Sequence, residues 1–558
     1  MNNGDRQIKI IFNNGKETTC YPGTTIRNIL KKHNYFDSEK IYIGALVNNC
    51  ISSLNYPIEL DSHISLLTIE DSHGWRIYRN SITFLLSKAV YECFPELKFD
   101  IAHSLGSGFF CSFENFVDNN KLSKILPKIE SYMHELVEKK LNITRKNIYL
   151  ENALFHFASR NREDKCNLLR FQNPSKVAVY QCGNFMDLEH GILTENTKYL
   201  TAFKLLPYET GFIIQFPEKA YPIHFEEFQH QKHLFNMFKS YKSWGKTIGV
   251  QNVGSLNEII IRGDYRQLVG IEEAYQEKNI AVIADNIYKN KDKLKWVLIA
   301  GPSSSGKTTF AHRLTTQLKV NGIQPVIISV DNYFVDRVNT PRDKNGNYDF
   351  EHIETIDLEL LHDHLAKLDN GKEIKVPTFD FKIGKKVWDG KKVILKENEI
   401  AVIEGIHSLN PRMTASLPEE RKYKVYINAL TQLNIDYNNR ISTTDNRLIR
   451  RILRDHRTRG NRALATLKMW PNVRDGEKRW IFPYQHYADI AFSSALNYEI
   501  GVLKPFVEPL LAEVKPWHEQ YADVCRLQHL LSSFISAPKE HIPFKSIVRE
   551  FIGGGILG

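Results

Sequence analysis

Residues Gly301-Pro302-Ser303-Ser304-Ser305-Gly306-Lys307-Thr308 spell the pattern GxxxxGK followed by Ser or Thr, between an apolar run, WVLIA, and a helix-forming stretch, TTFAHRLTTQL. With glycine near 7% of residues, a chain this long should show about 0.02 such matches by chance. Glycines there permit backbone geometries that expose consecutive N–H groups. Those donors, with the N-terminus of the following helix, cradle phosphate. Gly301, Ser303, Ser304, Ser305, Gly306, Lys307, Thr308 and Thr309 are therefore expected to bind ATP. Lys307 would reach the β and γ phosphates, and the Thr308 hydroxyl would bind magnesium.

The surrounding texture sets the fold class. From Trp296 onward, apolar strands WVLIAG, PVIISVD and IAVIEG alternate with helices, the pattern of an α/β unit with a parallel sheet and crossover helices. PVIISV delivers Asp331 to the carboxyl end of its strand, the ligand-bearing edge of such sheets. An Asp there can accept the proton of an attacking hydroxyl or bind magnesium; position alone fits a capping Asp equally well. IAVIEG puts Glu404 in the same plane as a second magnesium-ordering carboxylate.

The run DNRLIRRILRDHRTRGNR carries arginines at 447, 450, 451, 454, 457, 459 and 462. At 3.6 residues per turn Arg447, Arg450/Arg451 and Arg454 share one helical face. An arginine-lined mobile helix suits the charge developing on a transferring phosphoryl group. Taken alone, the same run reads as an exposed basic helix or one that binds RNA.

A chain of 558 residues has room for roughly three or four domains. No stretch approaches the roughly 20 uninterrupted apolar residues of a membrane span. The opening MNNGDRQIKIIFNNGK lacks the apolar core of a leader, so a cytoplasmic protein is expected. The seven cysteines are scattered with no CxxC pair, which points away from a disulfide framework or a Cys-rich zinc site. A net charge of +10 suits polyanions such as nucleotides or RNA, and suits a solvated surface as well.

Before the P-loop, IKIIF, Asn13-Asn14-Gly15 and a run near residues 18–21 read as a β-hairpin. Thr24-Thr25 caps a helix over IRNILKKH. Residues 75–240 mix helical stretches, 81–91 and 122–141, with short strands at 177–180 and 211–216. The expected units are 1–71, 72–240, a helical connector 241–290, the P-loop unit 291–515 and a helical tail 516–558. His224, His230 and His233 fall close together on an expected helix; without a partner Cys or carboxylate pattern they read as a solvated linker rather than a metal site.

GPSSSGKTT, SVDNYF, FEHIETID, PTFDF, IEGIH and DNRLIRRILRD, in that order, resemble the uridine kinase and phosphoribulokinase family. The resemblance covers residues 295–510. It implies phosphorylation of a nucleoside 5′-hydroxyl by ATP with magnesium: Asp331 as general base, Tyr333 near the nucleoside, Glu351 on the ribose hydroxyls, and Phe379 and Asp380 in the acceptor pocket. Arg451, Arg454 and Arg459 correspond to substrate and lid arginines, with Lys307, Asp331, Arg454 and Arg459 as the catalytic set and Thr308, Glu404 and Asp331 as the magnesium set. In FDFKIG, Gly384 stands where pyrimidine nucleoside kinases carry a base-reading His.

The front half resembles the first two domains of threonyl-tRNA synthetase. IKIIFNNGKETTCYPGTT is similar to its small α+β ubiquitin-like TGS domain. YRNSITFLLSKAV and FMDLEHGILTENT are similar to its α+β editing-type domain. That family's hydrolytic pocket uses an HSxxH motif with a later Cys and His. The matching positions here are Asn80, Phe84, Glu189 and Leu193, with Asp187 kept. Phe and Leu cannot bind zinc, so this unit is expected to be a scaffold or an RNA- or ligand-binding remnant. The resemblances leave room for RNA contact through the front half and for an oligomer. Two other readings stand beside the nucleoside kinase: an RNA-binding regulator whose P-loop senses nucleotide, and a kinase for another sugar-containing acceptor.

Overall fold

The computed structural model describes residues 6–33, 40–114, 118–220, 223–343 and 346–556. Residues 1–5 of the segment read for a leader, and 557–558 of the Gly-rich tail, lie outside the described residues. Among the described residues no helix is long and apolar enough to cross a membrane.

The first unit is a five-stranded sheet in the order Glu17–Cys20, Ile8–Phe12, Ser62–Leu67, Gly44–Val47, Cys50–Ser52. The expected hairpin forms with Ile8 opposite Cys20, and Gly15 takes the left-handed conformation its turn needs (φ +77°). The Thr25 hydroxyl accepts the Asn28 N–H and starts the helix Ile26–Lys32. Ile26, Ile29 and Leu30 on that helix close the core over the sheet.

Next come an antiparallel sheet of Lys204–Tyr208, Gly211–Gln215, Gly108–Phe113 and Phe99–Leu105, and a second of Thr144–Tyr149, Lys176–Cys182 and Phe185–Leu188. Helices Ser72–Cys93 and Asn119–Glu138 bury Ile82, Leu85, Leu126 and Ile129 with the four-stranded sheet's Ile101 and Phe212. His224 and His230 precede the helix Lys232–Thr247 in irregular chain, so the three histidines do not share the expected helix. Helices Val253–Arg262 and Tyr265–Lys289 follow.

The P-loop unit holds a five-stranded parallel sheet ordered Gln324–Ser329, Glu399–Glu404, Trp296–Ala300, Lys422–Asn428, Ile490–Ser493. Helices cover both faces, which is why its strands read as unbroken apolar runs. Val297 and Ile299 meet Phe310 and Leu314 on one side, while Trp296, Leu298 and Ala300 meet Ile328 and Ile403 on the other. The long helix Tyr265–Lys289 lies along the P-loop helix Lys307–Val320, where Arg313 donates to Gln276 (2.6 Å) and Glu277 (2.8 Å). The tail is docked: helix Tyr521–Ser532 anchors Arg526 on Asp445, and Arg549–Ile552 packs on the arginine helix Thr443–Arg459.

Candidate phosphoryl-transfer site

Register brings the acidic residues to the P-loop. Glu404 pairs with Ile299 on one side and Ser329 on the other, so all three strands end in one row and Gly301, Val330 and Asp331 continue from it. Ser329 Oγ donates to Glu404 Oε1 at 2.6 Å and aims that carboxylate. Burial lifts the Glu404 carboxyl to about 7, and the neighbouring Asp331 adds to the rise while Lys307 opposes it. Asp331 stays half-exposed and Thr308 exposed at the mouth.

The loop itself is strained as a cradle requires. Ser304 and Gly306 take positive φ (+58° and +81°), and a Cβ on Gly301 would lie 2.0 Å from the Ile427 carbonyl oxygen. Ser304 Oγ and Ser305 Oγ are buried without a hydrogen-bond partner. Lys307 Nζ has one long bond, to the Pro302 carbonyl at 3.3 Å, and desolvation pulls its pKa down. Buried orphan hydroxyls beside an under-used cation are the donor set a polyphosphate would satisfy. Thr309 differs: its hydroxyl donates to Glu550 of the tail at 2.7 Å.

The helix Thr443–Arg459 is not the loose arginine-lined element expected. Arg447 and Arg450 are buried and locked, Arg447 by Glu477 and the Ser303 carbonyl (3.0 Å), Arg450 by Glu499 and Ser494 (3.0 Å). A buried arginine must be paired, so this face braces the loop from behind. Arg451 donates to Ser303 Oγ at 2.8 Å and lies 3.9 Å from Glu351. Arg454 and Arg459 reach the site's rim, both leaning on Asp455 (2.8 and 3.8 Å). Burial acts against the Arg454 charge, yet Asp455 outweighs it and holds the pKa up; at Arg459 burial prevails, lowering it to about 9.

Glu351 faces the loop from beneath helix Ala463–Trp480, with Oε2 unpartnered and its carboxyl raised by burial to about 7. That approach depends on Gly476, where a Cβ would be 2.3 Å from Glu351 Cβ. Phe379 stacks edge-on against Phe334 (5.6 Å) and Phe381 (5.1 Å), forming an aromatic corner under Arg459. Asp380 spends one oxygen capping the next turn, accepting from Lys382 N at 2.8 Å. Tyr333 does not face this corner. Its ring is fully buried and its hydroxyl meets His364 at 3.0 Å, because the turn Val330–Tyr333 points it into the core; Phe334, the next residue, is the one that packs in the corner.

Three residues escaped the sequence reading: Ser329, Arg337 and Glu550. Strand alternation could have found Ser329, which shares its row with Glu404. Arg337 lies on Gly384, where a Cβ would sit 2.8 Å from its Cζ, and donates to the Phe381 carbonyl at 2.6 Å. Gly384 also has φ +68°, so glycine is what this turn accepts.

In the front half, the positions matching the synthetase pocket are occupied by other chemistry. Phe84 packs on Phe185 (5.2 Å), Leu193 lies in the core, and Glu189 forms a two-pronged pair with Arg145 (2.9 Å each). Asn80 lies against Gly191, and Asp187 pairs with Lys165 at 2.5 Å. Among the described residues no group of three or more His, Cys, Asp or Glu is placed to hold a metal ion.

Residues 297–500 match the model of the Phosphoribulokinase / Uridine kinase family. The front half is similar to threonine–tRNA ligases: 30% identical over 200 residues to that of Clostridium kluyveri, covering 36% of this chain and 31% of that protein. For Azobacteroides pseudotrichonymphae the identity is 32% over 199 residues, covering 36% and 30%. The chain thus spans about a third of the length of the curated relatives it matches. Among solved structures, a possible uridine kinase from Bacillus stearothermophilus is similar at 21% identity, with 38% of this chain and 97% of that one covered and a TM-score of 0.23. Residues 297–500 are thus similar to the Phosphoribulokinase / Uridine kinase family, and they follow a front half similar to part of threonine–tRNA ligase.

Proposed function

We propose that this chain transfers the γ-phosphoryl group of ATP to the 5′-hydroxyl of a nucleoside, giving the nucleoside monophosphate and ADP. The observation that carries the reading is the set of carboxylates around Lys307: Asp331 half-exposed beside Glu404 at the sheet edge, with Glu351 opposite. A nucleotide sensor needs no acid where an acceptor hydroxyl would stand.

Thr308, Glu404 and Asp331 offer the oxygen donors that would hold magnesium, and the ion would supply positive charge to offset that of the phosphates. The chain's own residues do the rest. Gly301, Ser303–Ser305 and Gly306 hold the phosphates through backbone and hydroxyl donors, and Lys307, whose hydrogen bond is to the Pro302 carbonyl, gains an anion in direct contact. Glu351 and Arg451 hold the ribose side, and Phe379 with Phe334 forms the acceptor's apolar wall. Asp380 borders it. Asp331 orients the acceptor hydroxyl and takes its proton, while Arg454 and Arg459 hold the charge of the group in transfer.

The unit limits given above (1–71, 72–240, 241–290, 291–515, 516–558) are part of this proposal, as is RNA contact through the front half. ADP release measured with uridine, with tRNA and with free sugars tests it. Stimulation by uridine with formation of its monophosphate is expected; stimulation by tRNA alone overturns the kinase reading in favour of a sensor.

A further inference from the structure

Thr309 and Glu550 are 241 positions apart, yet the Thr309 hydroxyl donates to Glu550 Oε2 at 2.7 Å. The contact is one of several that bring residues 546–553 onto the P-loop. Ile547 is buried and lies flat on the loop, its Cγ2 2.8 Å from where a Cβ on Gly306 would be. Phe551 is buried under the Arg450 guanidinium, 4.9 Å from ring centre to Cζ. Arg457 Nη2 donates to the Glu550 carbonyl at 2.7 Å. These contacts seat the segment against the loop and the arginine helix.

The carboxylate adds something else. It sits on the first turn of the P-loop helix, at the positive end of the helix dipole, where an anion is favoured. A nucleoside triphosphate brings its own anion to that turn. Two negative groups cannot share one hydroxyl and one helix end without repulsion.

We propose that residues 546–553 form one wall of the nucleotide site and that Glu550 is a resident anion there, which the phosphates of a nucleoside triphosphate must displace from Thr309. The inference rests on the P-loop binding a nucleotide. Docking of the tail and binding of the nucleotide are then negatively coupled, and each loosens the other by the same factor.

Two measurements on the full chain test this. Calorimetric titration with magnesium and a non-hydrolysable ATP analogue should show Glu550→Gln binding about three- to tenfold tighter than wild type, since the amide keeps the hydrogen bond and drops the charge. Hydrogen exchange on the wild type should show amides 546–556 exchanging faster once the analogue saturates. Binding by Glu550→Gln that is unchanged or weaker overturns the proposal, as does slower exchange in the tail. If wild type binds no analogue while remaining folded, the P-loop reading itself fails and takes this inference with it; binding that Lys307→Ala weakens keeps the two questions separate.

Discussion

Lys165 donates to Asp436 at 2.8 Å across 271 positions of sequence, and both side chains are buried. Lys165 belongs to the front half and Asp436 to the hairpin Asn434–Asp436 and Asn439–Arg440 of the P-loop unit. His190 meets the same Asp436 oxygen at 2.9 Å, and Asp187 flanks Lys165 on its other side. Burial works against the Asp436 charge, but Lys165 and His190 hold its carboxyl well below the ordinary range.

Asp436→Ala should therefore destabilise the chain, by about 3 kcal/mol, the lower end for a broken buried pair because Asp187 still balances Lys165. The wild-type contribution should be present above the ordinary carboxylate range and fade as pH falls through the depressed pKa. Thermal melts of both proteins from pH 7 to pH 3 check this; the gap between them should stay constant above the ordinary carboxylate range and begin to narrow below it.

Lys307→Ala and Asp331→Asn should both abolish transfer but part company in binding. Lys307 serves the phosphates before and during transfer, so its loss should weaken ATP as well. Asp331 serves the acceptor, so its loss should mainly lower turnover. Steady-state kinetics with the ATP analogue's affinity measured in parallel separates them, and most of the activity surviving in Asp331→Asn would remove it as the base.

The pH profile should show one acid limb. Glu351 rises to about 7 through burial, and its ionised form accepts from ribose hydroxyls more strongly than the acid does. Hence kcat/KM for the nucleoside should climb with pH through about 7 and level off above it. Glu351→Gln should lower the plateau and leave only the share of the climb that Glu404, also raised to about 7, contributes.

Base selectivity should be loose. Gly384 offers no hydrogen bond, and one such bond is worth about 0.5–1.5 kcal/mol, or roughly two- to tenfold. Arg337, lying on Gly384, supplies the nearest donors, ahead of the exposed Lys382 and Lys385. Competition among uridine, cytidine, inosine and adenosine should give modest ratios with uridine foremost, and Arg337→Ala should compress them further. Preference for uridine by several orders of magnitude would show that another residue reads the base.

The front half should hold no stoichiometric zinc and should not deacylate mischarged threonine-type tRNA, given the chemistry of Asn80, Phe84, Glu189 and Leu193. Metal analysis of the purified full chain finding one tight zinc per chain would refute this.

The parallel sheet and the P-loop were legible because their signals are local: apolar runs of strand length, and eight consecutive residues whose spacing is itself the chemistry. Strand position placed Asp331 and Glu404 at the carboxyl edge of the sheet, where they lie, but left a capping role for Asp331 equally open. Tyr333 was misplaced because one tight turn decides whether a side chain faces cleft or core, and no periodicity survives across a turn. The arginine helix misled for another reason. A helical wheel displays Arg447 and Arg450 but not Glu477 and Glu499, which arrive from later helices and turn a charged face into a buried brace. Glu550 and Arg337 carry no local signal, since their partners are set by tertiary packing.

The hairpin that carries Asp436 bears on how such a chain could be inherited. Asn434 donates to the Ile101 carbonyl at 2.9 Å, Tyr437 N to Asp164 at 2.9 Å, and Arg440 to Ser104 at 3.2 Å. A gene cut after the helical connector would strand these groups in water on one product and leave Lys165 and His190 facing an empty socket on the other. Recombination that swapped either half for a distant counterpart would have to bring both faces of the hairpin contact together. The two halves can therefore drift in sequence, but across this junction they are transmitted as one.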